Sequence, residues 1–134
     1  MIYLDASALI TLICEREHAS ALRAFIARRP GMPMGTSTVG LVETVRTLDR
    51  IGDYPDAMPD LAARFTEILP TEEVRNAAAG LPGRLRTLDA IHVASAEVIG
   101  PVLDTLVSYD RRMLEVARTV GLPAAAPGLD GQAG

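Results

Sequence analysis

The chain has 134 residues, 49% of them apolar and 22% charged, which is the make-up of one soluble domain built on a single core. Thirteen basic side chains, all arginine, face seventeen acidic ones for a net charge of −4. That balance does not exclude a nucleic-acid partner, because cations held by acids reverse the local sign and arginine suits bidentate phosphate contacts. No stretch approaches the roughly 18 apolar residues of a membrane span, and Asp5 interrupts the apolar start where a secretory leader would need continuity. The single cysteine, Cys14, leaves no internal disulfide, and the chain reads as cytoplasmic.

In chain order, Ile2-Tyr3-Leu4 predicts a short buried strand that stops at Asp5, followed by a helix from Ala6 to Cys14 with Ser7 as a possible cap. Glu17 to Arg29 is a second helical run, closed by Pro30-Gly31, and Met32 to Gly35 a brief strand. Ser37 or Thr38 caps a helix reaching about Arg50, with Leu41, Val42, Val45 and Leu48 as its apolar face and Gly52 as its stop. Leu61, Phe65 and Ile68 mark the next helix, Ile68 to Pro70 a possible strand, and Thr71 the start of another helix that ends at Gly80-Leu81-Pro82-Gly83. A nearly all-apolar helix spans Ala90 to Ala96, with Thr87 as a possible cap. Asp104 to Tyr109 reads as a strand ending at Asp110, Arg111 to Val120 as a helix, and Leu122 to Pro127 as an edge strand. Short strands alternating with helices imply an α/β fold with a mostly parallel sheet over residues 1–128, leaving 129–134 as a disordered tail.

The acids carry the chemistry. Asp5 and Asp110 each end a strand and precede a helix, either as helix caps or at the crevice where parallel sheets bind ligands. Asp89 opens the central helix, where an acid suits the helix dipole or stands at the rim of a site. Glu43 lies off its helix's apolar face, paired with Arg46 or turned to the same site. Ser7 and Ser108 stand two residues from Asp5 and Asp110, as surface or capping hydroxyls or as water-positioning groups. Asp104 is set aside, about 20 Å from Asp110 along an extended strand. His92, one turn after Asp89, reads as a packed, hydrogen-bonded histidine, and Cys14 and His18 belong to no cluster. Carboxylates without cysteine or paired histidine favour a hard cation, Mg²⁺ or Mn²⁺, which suits phosphodiester hydrolysis.

Taken together, Ile2 to Leu9, Ser37-Thr38 with Glu43, Leu88 to Ala94, Val107 to Arg112 and Gly121-Leu122-Pro123 resemble the PIN-domain ribonucleases, in particular the VapC toxins of bacterial type II toxin–antitoxin systems. The resemblance covers the whole domain and implies a three-layer α/β/α sandwich with a Mg²⁺- or Mn²⁺-dependent endoribonuclease site. The family's four acidic positions fall on Asp5, Glu43, Asp89 and Asp110, and the hydroxyl before the last acid, often threonine, falls on Ser108. It also implies water attack on an RNA phosphate that leaves a 5′-phosphate and a 3′-hydroxyl, a homodimer, and a cognate VapB-type antitoxin in a larger hetero-oligomer. Arg84, Arg86, Arg111 and Arg112 flank the site as solvated charges or as RNA-phosphate contacts. The absence of lysine, of an Asp-x-Asp start and of a Gly-rich first turn counts against a receiver domain, an aspartyl phosphatase and a dinucleotide-binding domain respectively. The competing reading is a non-catalytic module of the same fold that binds RNA or an antitoxin.

Overall fold

A computed structural model describes residues 1–129. The chain runs β1 (Ile2–Leu4), α1 (Ala6–Ile13), α2 (Ala19–Ala27), β2 (Met34–Ser37), α3 (Thr38–Ile51), α4 (Ala57–Arg64) and β3 (Thr66–Ile68). It continues through α5 (Glu72–Ala79), α6 (Thr87–Ile99), a 3-10 turn at Gly100–Val102, β4 (Thr105–Val107), α7 (Arg111–Thr119) and β5 (Ala124–Ala125). Apart from Leu129, the expected tail lies outside the described residues.

The five strands form one sheet in the order β3-β2-β1-β4-β5, and every neighbouring pair is parallel. Side chains alternate across it. Ile2, Leu4 and Val107 face Leu9, Leu22, Phe25 and Leu41 of α1, α2 and α3, whereas Tyr3 and Leu106 face Val93 and Ala96 of α6 and Met113 and Ala117 of α7. Helices therefore cover both faces, the expected three-layer sandwich, and that is why β1 is apolar throughout: a strand buried on both sides has no face to leave polar.

The strands are shorter than expected, or displaced from where the sequence puts them. The one expected at 32–35 begins at Met34, because Pro33 has no N–H for a ladder and serves only through its carbonyl, which accepts from the Ile2 amide. The one expected at 68–70 ends at Ile68, ahead of Pro70. The one expected at 104–109 contracts to Thr105–Val107, although the Ser108 amide still bonds the Ala125 carbonyl, and the last is only Ala124–Ala125.

Capping also differs in two places. Asp5, not Ser7, caps α1 by accepting from the Ala8 amide. Thr87 is already helical; Arg86 occupies the cap of α6 and makes no side-chain cap bond. Ser37 caps α3, which ends at Gly52 with φ of 97°, a left-handed turn that glycine takes without steric cost. Val42, expected on the apolar face of α3, is exposed; the buried face is Gly40, Leu41, Thr44 and Leu48. Gly40 lets α3 sit close, because a Cβ there would meet Thr36 Oγ1 and lie 3.1 Å from His92 Cε1.

The chain leaves central β1 for β2 and β3 on one side and returns to β4 and β5 on the other. Beyond the carboxyl ends of β1 and β4, whose following connections diverge, an open α/β sheet forms its binding crevice. Asp5 directly follows β1, and Asp110 follows β4. Asp104 precedes β4, at the opposite end, where it pairs with Arg29 at 2.7 Å.

Candidate functional site

Asp5 is 2% exposed and fully engaged. Its Oδ1 accepts from Ser7 Oγ at 2.6 Å and from the Ala8 amide at 2.9 Å, and its Oδ2 accepts from Ser108 Oγ at 2.6 Å. Ser7 also ties the end of β1 to the end of β4, its Oγ accepting from the Tyr109 amide at 2.9 Å, while Ser108 Oγ accepts from the nearby Asp110 amide at 3.0 Å. Asp110 caps α7, its Oδ1 accepting from the Arg112 and Met113 amides. For Asp5 and Asp110, then, capping and a place at the crevice are one arrangement, since the cap is what aims each carboxylate.

Asp89 lies in the first turn of α6 and accepts no hydrogen bond among the described residues. It shares with Asp110 a cleft of about 310 Å³ whose other walls are Leu85 and the four arginines expected there, Arg84, Arg86, Arg111 and Arg112. Glu43 is placed differently. It makes no pair with Arg46; instead its Oε1 meets His92 Nε2 at 2.8 Å, and it borders a neighbouring groove of about 400 Å³ with Val42, Arg46 and Leu88. His92 is the packed histidine expected, 1% exposed, and its tie to Glu43 joins two helices that helical spacing alone does not connect.

The electrostatics are those of acids short of counter-charge. Burial pushes the Asp5 carboxyl above the ordinary carboxylate range, against the pull of His92 and of the bonds from Ser108, Ser7 and Ala8. Asp89 is raised by burial and then by the Asp110 charge, with Glu43 and Asp5 adding to it and His92 opposing. Asp89 thus feels the charge of the other three acids, although the four come from different elements.

The donors suit a hard cation: four carboxylates with serine hydroxyls beside them, one carboxylate free of hydrogen bonds, and mutual repulsion for a cation to relieve. Among the described residues no three Asp, Glu, His or Cys side chains converge closely enough to hold a metal between them.

A family profile described as the PIN domain matches residues 2–119. The chain belongs to the PIN-domain family. Within it, the chain is similar to Ribonuclease VapC47 of Mycobacterium tuberculosis, 38% identical over 136 residues that cover 96% of this chain and 98% of that one. Ribonuclease VapC46 of the same species is 36% identical over 128 residues, covering 94% and 97%. Among solved structures, the M. tuberculosis toxin VapC20, described as cleaving the sarcin–ricin loop, superposes with a TM-score of 0.71 at 18% identity, over 95% of this chain and all of that one. VapBC2 from Rickettsia felis, bound to a DNA fragment from its promoter, gives 0.66 at 14% identity, over 94% and 98%. These superpositions show that the chain shares its fold with solved VapC proteins.

Proposed function

We propose that this PIN domain is a Mg²⁺- or Mn²⁺-dependent endoribonuclease, the toxin of a toxin–antitoxin pair, which cuts a tRNA or rRNA in the cytoplasm and so stops translation. The observation that carries the reading is the cleft in which Asp89 and Asp110 are ringed by four arginines, with Asp5 locked behind them by Ser7 and Ser108. Asp5, Asp89 and Asp110 would hold the ion, and Glu43 would complete the set or orient water. The ion, when bound, supplies a hydroxide nucleophile near neutral pH and neutralises charge at the phosphate.

The chain's own residues supply the rest. Arg84, Arg86, Arg111 and Arg112 receive phosphates on either side of the scissile one, and charge-assisted bidentate contacts fix the strand without reading its sequence. Ser108 holds Asp5 and Asp110 in register, so that both carboxylates address the same phosphate. The VapC names of the relatives support a cognate VapB-type antitoxin; a homodimer within a larger hetero-oligomer completes the proposal.

The test incubates antitoxin-free protein with total bacterial RNA under Mg²⁺, Mn²⁺ or EDTA, beside Asp89→Asn. Discrete fragments that vanish with EDTA and with the variant are expected, their ends bearing 5′-phosphates. Intact RNA under every metal, with tight RNA or antitoxin binding retained, would replace the nuclease by a binding module. Cleavage unchanged in Asp89→Asn would overturn the assignment of the acids.

A further inference from the structure

Behind Glu43 runs a chain of buried hydrogen bonds whose direction can be deduced. The Ser37 amide lies 3.2 Å from the Tyr3 hydroxyl, that hydroxyl lies 2.7 Å from His92 Nδ1, and His92 Nε2 lies 2.8 Å from Glu43 Oε1. Tyr3 is fully buried and His92 nearly so. The chain joins β2, β1, α6 and α3 in turn, and Gly40 is what lets α3 come close enough to complete it.

An ionised glutamate only accepts hydrogen bonds, so the proton between His92 and Glu43 belongs to Nε2. A neutral imidazole then has a bare Nδ1, which must accept from the Tyr3 hydroxyl. The Tyr3 oxygen, its own hydrogen directed to Nδ1, accepts from the Ser37 amide. Burial raises the Tyr3 hydroxyl far above its ordinary value, against the pull of its bonds to Ser37, so it stays protonated and able to donate. With a neutral His92 ring, each link runs in one direction.

We infer that His92 is a positioning residue for the acidic site, fixed as the Nε2–H tautomer by Tyr3 and holding Glu43 by one oxygen so that the other is free for the site. Oε2 of Glu43 has no hydrogen-bond partner among the described residues. Asp89 and His92 stand three apart on α6, hence on one face, so a single helix carries one acid directly and sets a second through its histidine. The inference rests on the proposed role of Glu43, and it makes Tyr3 and Ser37 part of the support for that role. A histidine ring whose tautomer is set by its other nitrogen is the means by which such supports keep a ligand oriented, and their loss typically costs about 10–100-fold in metal affinity.

The chain has only two histidines, so long-range ¹H–¹⁵N correlation of ¹⁵N-histidine protein, assigned with His18→Gln, reads the tautomer in metal-free protein. A protonated Nε2 with a bare Nδ1 is expected for His92. Tyr3→Phe should erode that preference and shift the Glu43 side-chain carboxyl ¹³C signal. An Nδ1–H signal in the parent protein, from the other tautomer or from a doubly protonated ring, would overturn the inference.

Mn²⁺ binding followed by electron paramagnetic resonance supplies the second readout. His92→Leu should weaken it about 10–100-fold and His92→Gln, which keeps an N–H toward Glu43, by less. Undiminished Mn²⁺ affinity in a folded His92→Leu, with Asp5→Asn impaired, would also overturn it. If the parent protein binds no Mn²⁺ at all, the metal reading of the site fails instead, and the tautomer with the Glu43 signal still decides the positioning role.

Discussion

Ser108→Ala removes one hydroxyl that serves two acids. In the parent protein it donates to Asp5 Oδ2 at 2.6 Å and accepts from the Asp110 amide at 3.0 Å, with Ser108 wholly buried. The bond to the carboxylate is charge-assisted, about 1.5–3 kcal/mol, and the amide bond adds about 0.5–1.5 kcal/mol. The expected loss is therefore about 2–4.5 kcal/mol, a large share of the roughly 5–15 kcal/mol that holds a domain together. At about 3–4 °C per kcal/mol for a chain of this size, Tm should fall by about 6–18 °C. Calorimetry in EDTA measures this without interference from bound cations, and Ser108→Thr, which keeps the hydroxyl, should recover most of it. Combined with Asp5→Asn, the alanine variant should show a coupling above about 0.5 kcal/mol, as residues in one hydrogen-bond network do. A Tm within about 2 °C of the parent, or strict additivity in the cycle, would refute the idea that Ser108 locks the two acids together.

Asp5 and Asp89 both prefer the proton in the folded state, because burial raises their carboxyls. Such groups contribute stability below the ordinary carboxylate range, and it is lost as pH rises through the raised values. Asp89→Asn, which cannot ionise, should therefore melt above the parent near pH 7 and level with it near pH 3, as a thermal denaturation series in EDTA will show. Mg²⁺ at about 100 times its dissociation constant should stabilise the parent by about 2.7 kcal/mol through mass action, and Asp5→Asn should lose that increment in the same melts. Gly40→Ala places a methyl against Thr36 and His92, and overpacking of this kind should cost about 1–3 kcal/mol by chemical denaturation. Arg112→Ala should weaken single-stranded RNA binding without changing sequence preference, lowering the slope of affinity against salt by about 0.7 in a titration.

Much of this arrangement can be read in the sequence. The strand-acid-helix pattern at Asp5 and Asp110 predicts both the crevice and the caps, because a carboxylate at the end of a buried strand has few other things to do. His92 is packed as its apolar setting suggests. What escapes the sequence is contact between distant elements. Glu43 looks like a partner for Arg46 because helical spacing reports only neighbours on the same helix, whereas its actual partner arrives from α6 across a gap that Gly40 opens. Ser7 looks like a cap because local rules favour serine there, yet the preceding Asp5 takes the Ala8 amide and leaves Ser7 to bridge β1 and β4. Val42 passes for core on composition, although α3 turns it to solvent. The second strand starts late where Pro33 lacks a ladder donor, which no hydrophobic pattern registers.

The place of β1 has a consequence for how such a protein is made. It emerges before the other four strands of this sheet during synthesis yet lies in the middle of the finished sheet, and Asp5 finds Ser108 only across 103 positions of chain. A nascent chain that stops short of β4 leaves its central strand open along one edge and lacks both Ser108 and Asp110. Contacts of such long range form late, since the loop between them must close first. The set of acids and the closed sheet thus mature in the same step, so an unfinished chain lacks its crevice for as long as it lacks its fold.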